Sequence, residues 1–320
     1  ADVTGAPTNP IVQTYHLLTR ARGRRLGVTY HGVGHGGFHN GTGSLVAAGS
    51  CIVGRGNTHR MMKGYFLPTV RHIIDGDPIA EEFLWRKWES IMPIDAPTAA
   101  CPDVVYEYWN GPSPDTFVVD DFESEMDPST SSSGGAVLAT VTELVEGRLQ
   151  DGDGTLTAGI GDPMNGMTRN HPGDSEHGVV FEWTAPSHLE FAIAPEARNF
   201  THYSFLSLRA CQSTRHELTV ADLEDLSFLA TLRDGHGNTA SVSIAANGGG
   251  VTDPFARAGV GVGMGWVNEF ETTRVRLLDF PAQNTEFDLT DVVAIRFEFA
   301  TGGTSVVGRI GMDDIELVQE

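Results

Sequence analysis

The chain has 320 residues and a formal net charge of −21, with 40% hydrophobic and 20% charged residues. This composition indicates a folded globular protein with room for one large domain or two ordinary ones. The acidic excess argues against nucleic acid and anionic membrane surfaces as partners, and no apolar run is long enough to cross a bilayer. Three cysteines are too few for a disulfide scaffold. Because the chain begins at Ala1 without a leader, we expect prior processing or a missing upstream part.

The charge is distributed unevenly along the chain. Residues 1–115 hold ten basic and ten acidic side chains, whereas residues 116–320 hold eleven basic and thirty-two acidic ones. Such a step in composition is what two separate domains would produce, and the segment 110–115, which contains two prolines and a glycine, would form the linker. We therefore predict one domain over 1–115 and a second over 116–320.

The first part predicts a mixture of helices and strands. Apolar spacing and turn residues predict a helix at 10–21, a buried strand at 26–30, and further helices at 57–72 and 77–90. Asn57 or Thr58 would cap the second helix. Asp77 followed by Pro78 predicts the start of the third, because aspartate caps free amides and proline suits the first helical position.

A glycine-rich segment with three histidines follows the predicted strand. Residues 30–38 read Tyr-His-Gly-Val-Gly-His-Gly-Gly-Phe, and His39 comes next. A histidine on a tight loop with little steric cover can serve as a base toward a neighbouring nucleophile. The spacing of His31, His35 and His39 leaves a metal site open as an alternative, although the glycines disfavour the helix that such a site would need.

This segment resembles the last catalytic loop of α/β-hydrolases, in which Gly-x-Gly-His carries the general base. Asp2 lies 33 residues before His35. A loop, a helix and a strand are predicted between them, which is the order in which that fold separates its acid from its histidine. The resemblance implies Asp2 as the orienting acid and His35 as the base of a catalytic triad. A non-catalytic glycine-rich loop is the alternative.

The nucleophile of that family is missing. Its Gly-x-Ser-x-Gly motif, which lies upstream of the acid and the base, does not occur in this sequence. Residues 1–115 therefore resemble only the C-terminal part of an α/β-hydrolase, and whether the chain is an enzyme is left open. Either an upstream hydrolase fragment or another chain supplies the serine, or the fold has been reduced for another use.

The second part predicts strands. Short runs that alternate apolar with polar residues, separated by turn residues, are typical of an antiparallel β-sandwich. The runs lie at residues 116–119, 137–142, 179–183, 203–209, 228–232, 240–244, 273–277, 292–299 and 315–318. Residues 233–238 predict a hairpin loop, since their glycines and asparagine tolerate positive φ. Cys211 is expected in the core, whereas Cys51 and Cys101 either form a bridge or are buried thiols.

The motifs of residues 116–320 resemble those of jelly-roll domains of carbohydrate-binding-module type, which are appended to secreted enzymes. Residues 117–123 read Phe-Val-Val-Asp-Asp-Phe-Glu, and residues 311–317 read Gly-Met-Asp-Asp-Ile-Glu-Leu. In many such domains, acidic residues of the first and last strands share a structural calcium ion. The resemblance implies Glu123 and Asp314 as its ligands, with Asp121 and Asp313 next. The alternative is a solvated acidic edge.

Sugar binding would also need an exposed aromatic platform. Trp183 and Trp266 are the candidates, and a core role is an equal alternative for each.

The resulting prediction is a multidomain α/β and all-β protein, with a partial α/β-hydrolase segment followed by an antiparallel jelly-roll β-sandwich. It would be the C-terminal portion of a secreted ester- or amide-cleaving hydrolase-like protein, with a glycan-binding-like sandwich. The alternative is a non-catalytic extracellular surface or assembly subunit that binds glycan or protein. Expected partners are an upstream hydrolase fragment or identical subunits, and glycan. Neither nucleic acid nor membrane insertion is expected, and the location would be extracellular or at the cell surface.

Overall fold

The structure is a computed structural model. It describes Gly23, Gly111 and residues 25–30, 32–41, 53–85, 104–109, 113–123, 127–149, 177–213, 216–220, 224–247, 250–256, 266–267 and 270–319. The predicted helix over 10–21 lies outside the described residues, as do Asp2, Cys51 and Cys101.

Strands dominate the described residues. They are β1 (Arg25–Tyr30), β2 (Val104–Trp109), β3 (Thr116–Asp120), β4 (Val137–Ala139), β5 (Thr142–Arg148), β6 (His177–Trp183), β7 (Ser187–Ala192), β8 (Phe205–Gln212), β9 (Leu229–Asp234), β10 (Thr239–Ser243), β11 (Phe255–Ala256), β12 (Trp266–Val267), β13 (Glu271–Arg276), β14 (Val292–Phe299) and β15 (Gly308–Val318). The helices are α1 (Arg55–Val70), continued by a π-helical turn (Arg71–Asp75), α2 (Pro78–Trp85), α3 (Glu217–Val220) and α4 (Asp279–Gln283).

Two antiparallel sheets form a sandwich over residues 116–319, as predicted. The five-stranded sheet has the order β10-β9-β14-β7-β4. The six-stranded sheet has the order β13-β8-β15-β6-β5, and β3 pairs with the second half of β15. Alternate residues of each sheet point inward, and they meet in one continuous apolar core.

Aromatic side chains from both sheets fill the centre of this core. Trp183 of β6 and Phe299 of β14 lie 4.7 Å apart between ring centroids, and Phe181 lies 5.1 Å from Phe299. Gly308 makes room for this cluster, since a Cβ built there would lie 2.3 Å from the Trp183 ring. The tightness of this contact explains a glycine within an otherwise buried strand.

The predicted strands of the second part are largely confirmed. The prediction for 292–299 matches β14, and the hairpin loop at 233–238 connects β9 to β10. The prediction of one strand over 137–142 is wrong. That strand ends at Ala139, and after two residues the chain enters β5 in the opposite sheet. The strand β7 was also not predicted from the sequence. In this strand, polar residues alternate with the buried Leu189 and Phe191.

The N-terminal part contains a two-stranded antiparallel sheet of β1 and β2, which we call the N-terminal ribbon. Helix α1 packs beside it with Met61 and Tyr65 buried in a small second core that includes Tyr30 and Tyr106. The predicted caps at Asn57 or Thr58 are wrong, because α1 begins after Gly54 with no side-chain cap. The Asp77 cap is confirmed, since its carboxylate accepts the Ile79 amide at 2.9 Å.

An α/β arrangement would require parallel strands. In the part of the chain that the structure describes, every strand pairing is antiparallel, so an α/β-hydrolase segment is not shown. The predicted domain boundary at residue 115 falls between β2 and β3 and stays a prediction. None of the helices in the described ranges combines the length and the apolar character needed to span a membrane.

Candidate functional site

The outer face of the six-stranded sheet carries a buried charged cluster that joins it to the N-terminal ribbon. At its centre is Arg209 of β8, whose side chain is 4% exposed. One guanidinium nitrogen lies 2.8 Å from the Glu107 carboxylate of β2. The other lies 2.7 Å from Asp314 and 3.3 Å from Asp313, both on β15. A single cation thus neutralises carboxylates from both parts of the chain, which is what burial of so many charges requires.

Hydrogen bonds and a cation–π contact complete this attachment of the ribbon. The Tyr108 amide donates to the Thr272 hydroxyl at 2.7 Å, and that hydroxyl donates back to the Tyr108 carbonyl oxygen at 2.8 Å. The guanidinium of Arg274 lies 4.7 Å from the centroid of the Tyr108 ring. Because these contacts involve backbone atoms as well as charge, they fix the register of the ribbon on the sheet.

The structure brings the four predicted calcium ligands to one edge, where β3 lies antiparallel to β15. A bulge in β15 turns the chain there, with Asp314 at φ 46°. Each carboxylate already has partners. Asp313 and Asp314 contact Arg209, Asp121 accepts the Ser132 hydroxyl at 2.5 Å, and Glu123 accepts the His177 amide at 3.0 Å.

This donor set does not fit a calcium ion well. The Arg209 guanidinium contacts two of the four, Asp313 and Asp314, and the described ranges contain no group of three His, Cys, Asp or Glu side chains arranged to hold a metal. Calcium at Glu123, Asp121, Asp313 and Asp314 therefore stays a prediction.

Burial changes the acidity of two carboxyls at this edge. Burial and then the nearby Asp314 carboxylate raise the pKa of Glu316 from 4.5 to about 8. Burial also raises the pKa of Asp120, although hydrogen bonds from Ser132 and Phe122 oppose that rise. The cluster thus holds more carboxyls than its arginines neutralise.

The glycine-rich loop forms a tight turn after β1, as the sequence predicts. Gly32 has φ 70°, and residues His35–Phe38 make a single 3-10 turn. The turn packs against the start of α1, where the Arg55 side chain donates to the Gly36 carbonyl oxygen at 3.1 Å. His35 is described by its backbone alone, and Asp2 and His31 lie outside the described residues. Their catalytic and metal-binding roles stay predictions.

The two tryptophans offer no described aromatic platform. Trp183 is 1% exposed, and its indole donates to the Ser305 carbonyl oxygen at 2.9 Å, so it belongs to the core. Trp266 lies in β12, but its side chain is outside the described residues. Cys211 is a buried free thiol, as predicted.

The outer face of the five-stranded sheet carries a row of polar side chains, which we call the outer strip. Register aligns Ser241, Thr231, Arg296 and Glu190 across four neighbouring strands. The strip also includes Arg233 and Glu298, which lie two positions along β9 and β14. The Arg296 and Arg233 side chains are 34% and 40% exposed and meet solvent, whereas Thr231 and Glu190 are buried.

Hydrogen bonds hold the outer strip in one arrangement. Glu190 accepts Arg296 at 2.6 Å and Arg233 at 2.8 Å, one on each carboxylate oxygen. The Thr231 hydroxyl donates to Glu298 at 2.6 Å and contacts the Ser241 hydroxyl at 2.8 Å. Burial by itself would raise the pKa of Glu190. The hydrogen bonds and positive charges of Arg296 and Arg233 lower it by more than burial raises it, so the pKa of Glu190 lies below its ordinary value.

Sequence analysis missed Arg209, Glu107, Glu316 and the outer strip. A signal was present, because Arg209 and Glu316 stand within runs that otherwise read as strands. The sequence does not show which strands become neighbours, and a charged residue in a strand is ordinarily assigned to solvent.

Comparisons with known proteins identify no family. No protein-family model matches the chain, and no curated protein matches it. Among solved structures, it is similar to a family 11 carbohydrate-binding module from Clostridium thermocellum in complex with a β-1,3-1,4-mixed-linked tetrasaccharide, at 10% identity over 64% of this chain and 95% of that one, with a TM-score of 0.34.

Two further structures are similar to a comparable degree. The family 30 module of a cellulosomal cellulase of Clostridium thermocellum is 12% identical over 64% of this chain and 98% of that one, with a TM-score of 0.35. An exo-β-agarase is 9% identical over 65% of this chain and 25% of that one, with a TM-score of 0.36. Scores this low assign no ligand to the chain.

Replacing Arg209 with methionine should destabilise the protein strongly. Three buried carboxylates would lose their cation, which costs about 3–5 kcal/mol for buried pairs. We expect a smaller loss at pH 5 than at pH 7, because the stranded carboxylates can then take up protons. Urea unfolding at both pH values measures this, with the exposed Arg276→Met as the control. Equal losses for the two variants would contradict the role of Arg209.

Glu316 should make the protein less stable as pH rises from about 5 to 8. Its folded pKa of about 8 exceeds the ordinary 4.5, so the folded state holds more protons than the unfolded state over that window, and stability falls as they are released. Glu316→Gln should flatten this part of the stability–pH curve, measured by urea unfolding. A slope unchanged by the substitution would disprove the assignment to Glu316.

Proposed function

We propose that this chain is a non-catalytic binding protein whose β-sandwich binds an uncharged glycan on the outer strip. The observation that carries this proposal is the charge balance of the strip. Its two arginines and two glutamates sum to zero within a protein of net charge −21, while its side chains offer many hydrogen-bond donors and acceptors.

This chemistry fits a hydroxyl-rich ligand best. A neutral strip gives no net attraction to an ion, and a strip this polar gives little to an apolar molecule. Sugar hydroxyls both donate and accept, so they can bond to carboxylates, guanidinium groups and threonine or serine hydroxyls. Because ion pairs already hold Glu190 and Arg296 in place, little side-chain entropy is lost on binding.

An extracellular or cell-surface location belongs to the same proposal. The acidic surface and the low lysine content support an exported protein, and a glycan ligand is most accessible there. Identical subunits and glycan are its proposed partners.

A second candidate function keeps the hydrolase resemblance. The turn at His35–Phe38 follows β1 directly, which is where that family carries its base. In this reading His35 and Asp2 act with a serine from an upstream hydrolase fragment or another chain, and the activity is ester or amide cleavage.

Neutral polysaccharides should slow the protein in affinity electrophoresis. We expect retardation by at least one of a mixed-linkage β-glucan, a xylan and a galactomannan, and none by anionic polygalacturonate. Arg296→Leu should weaken binding about tenfold or more, since a hydrogen bond to a charged group contributes about 1.5–3 kcal/mol. Arg276→Leu, an exposed arginine away from the strip, should bind normally. Absence of retardation in every neutral gel would refute the proposal.

A fluorophosphonate probe separates the two candidates. For a non-catalytic chain we expect no covalent labelling, because the sequence has no Gly-x-Ser-x-Gly nucleophile. Labelling of this chain, or of a polypeptide that co-purifies with it, that disappears in His35→Ala would instead establish the hydrolase function. Mass spectrometry of the intact protein measures the label.

A further inference from the structure

Helix α1 carries an apolar face that is unusually exposed for a folded protein. Phe66 and Val70 are each 50% exposed, and Ile73 and Ile74 of the following π-helical turn are 65% and 74% exposed. The opposite side of the helix buries Met61 and Tyr65. In soluble proteins, a large contiguous exposed apolar patch of this kind marks an interaction surface.

The exposed face has the shape that another helix would fill. An open groove of about 350 Å³ runs along α1. It is lined by six side chains of the helix, those of His59, Met62, Lys63, Phe66, Leu67 and Val70. Residues 59, 62, 63 and 66 have the spacing i, i+3, i+4 and i+7, and so do residues 63, 66, 67 and 70. Four residues at that spacing form the hole that receives one side chain from a partner helix in knobs-into-holes packing. The groove thus consists of two successive holes.

Charge along the helix indicates which partner fits. Arg55, Arg60 and Lys63 lie within the first nine residues of α1, and no acidic residue occurs between residues 53 and 72. At the other end, Arg71 pairs with Asp77 at 2.5 Å, and the exposed Asp75 leaves this end with one more acidic than basic side chain. If a second copy packs antiparallel about Phe66 and Leu67, the basic start of each helix lies beside the acidic end of the other. The opposed helix dipoles favour the same arrangement.

We propose that this face of α1 pairs with the α1 face of a second copy of the chain, as an antiparallel two-fold dimer. In this register Lys63 lies opposite Val70 of the second copy, so its aliphatic stem packs while its ammonium group reaches solvent. The apolar face offers about 500 Å² per copy, from roughly 100 Å² on each of its five exposed large apolar side chains, and hence about 1,000 Å² in the pair. That area is at the lower end of what a specific dimer needs.

Sedimentation equilibrium of the full chain tests this pairing. We expect the wild-type protein to give a dimer mass at micromolar concentration. Phe66→Glu combined with Val70→Glu should weaken dimerisation about 30-fold or more, as loss of central interface residues does. Leu278→Glu is the matched control, because Leu278 is 78% exposed on the sandwich and lies far from α1 in sequence. It should remain dimeric.

A charge reversal tests the antiparallel register. Arg60→Glu should weaken the dimer severalfold, and the addition of Asp75→Lys should restore it, because Asp75 lies two residues beyond Ile73, the position opposite Arg60 in this register, within reach of the long Arg60 side chain. Far-UV circular dichroism checks that the variants fold. A monomeric wild type at 100 µM would overturn the proposal, and so would a double glutamate variant that stays dimeric. Sedimentation of a monomeric wild type with vesicles of equal phosphatidylcholine and phosphatidylglycerol would assign the face to a membrane instead.

Discussion

The burial of Arg209 is the constraint on which the arrangement of the whole chain depends. Its guanidinium reaches Glu107 of the N-terminal ribbon and Asp313 and Asp314 of the sandwich from a position that is almost closed to water. A charge in such a place must be paired, since leaving one partner alone costs several kcal/mol. The ribbon therefore cannot leave the sheet without exposing or stranding these charges, and the two halves of the sequence are held together although their compositions differ.

The same cluster includes the acidic edge where β3 meets β15. Sequence resemblance points to calcium between the first and last strands, and those strands do lie side by side. In the fold, Arg209 contacts Asp313 and Asp314 of this edge, burial raises the pKa of Glu316, and calcium binding stays a prediction. Arg209 and protonation of Glu316 both reduce the net negative charge of this edge.

The outer faces of the two sheets differ in what covers them. The six-stranded sheet is covered on its outer side by the ribbon, whereas the outer strip of the five-stranded sheet is open and electrically neutral. The ribbon's neighbour, helix α1, presents its apolar groove to solvent. A glycan on the strip and a second copy on α1 would occupy separate surfaces, so pairing of two chains would place two strips in one assembly and increase avidity for a repeating polymer.

The sequence alone determined most of the strands of residues 116–319, because alternation and turn residues are local signals. It likewise determined the Asp77 cap and the core position of Cys211, whereas the meeting of the acidic motifs of β3 and β15 was implied only by the resemblance to jelly-roll domains. Only the tertiary structure decided the partners of Arg209, the switch of sheet after Ala139 and the register that aligns Arg296 with Glu190. These features depend on contacts between residues far apart in the chain, and hydrophobic periodicity carries no information about which distant strand becomes a neighbour.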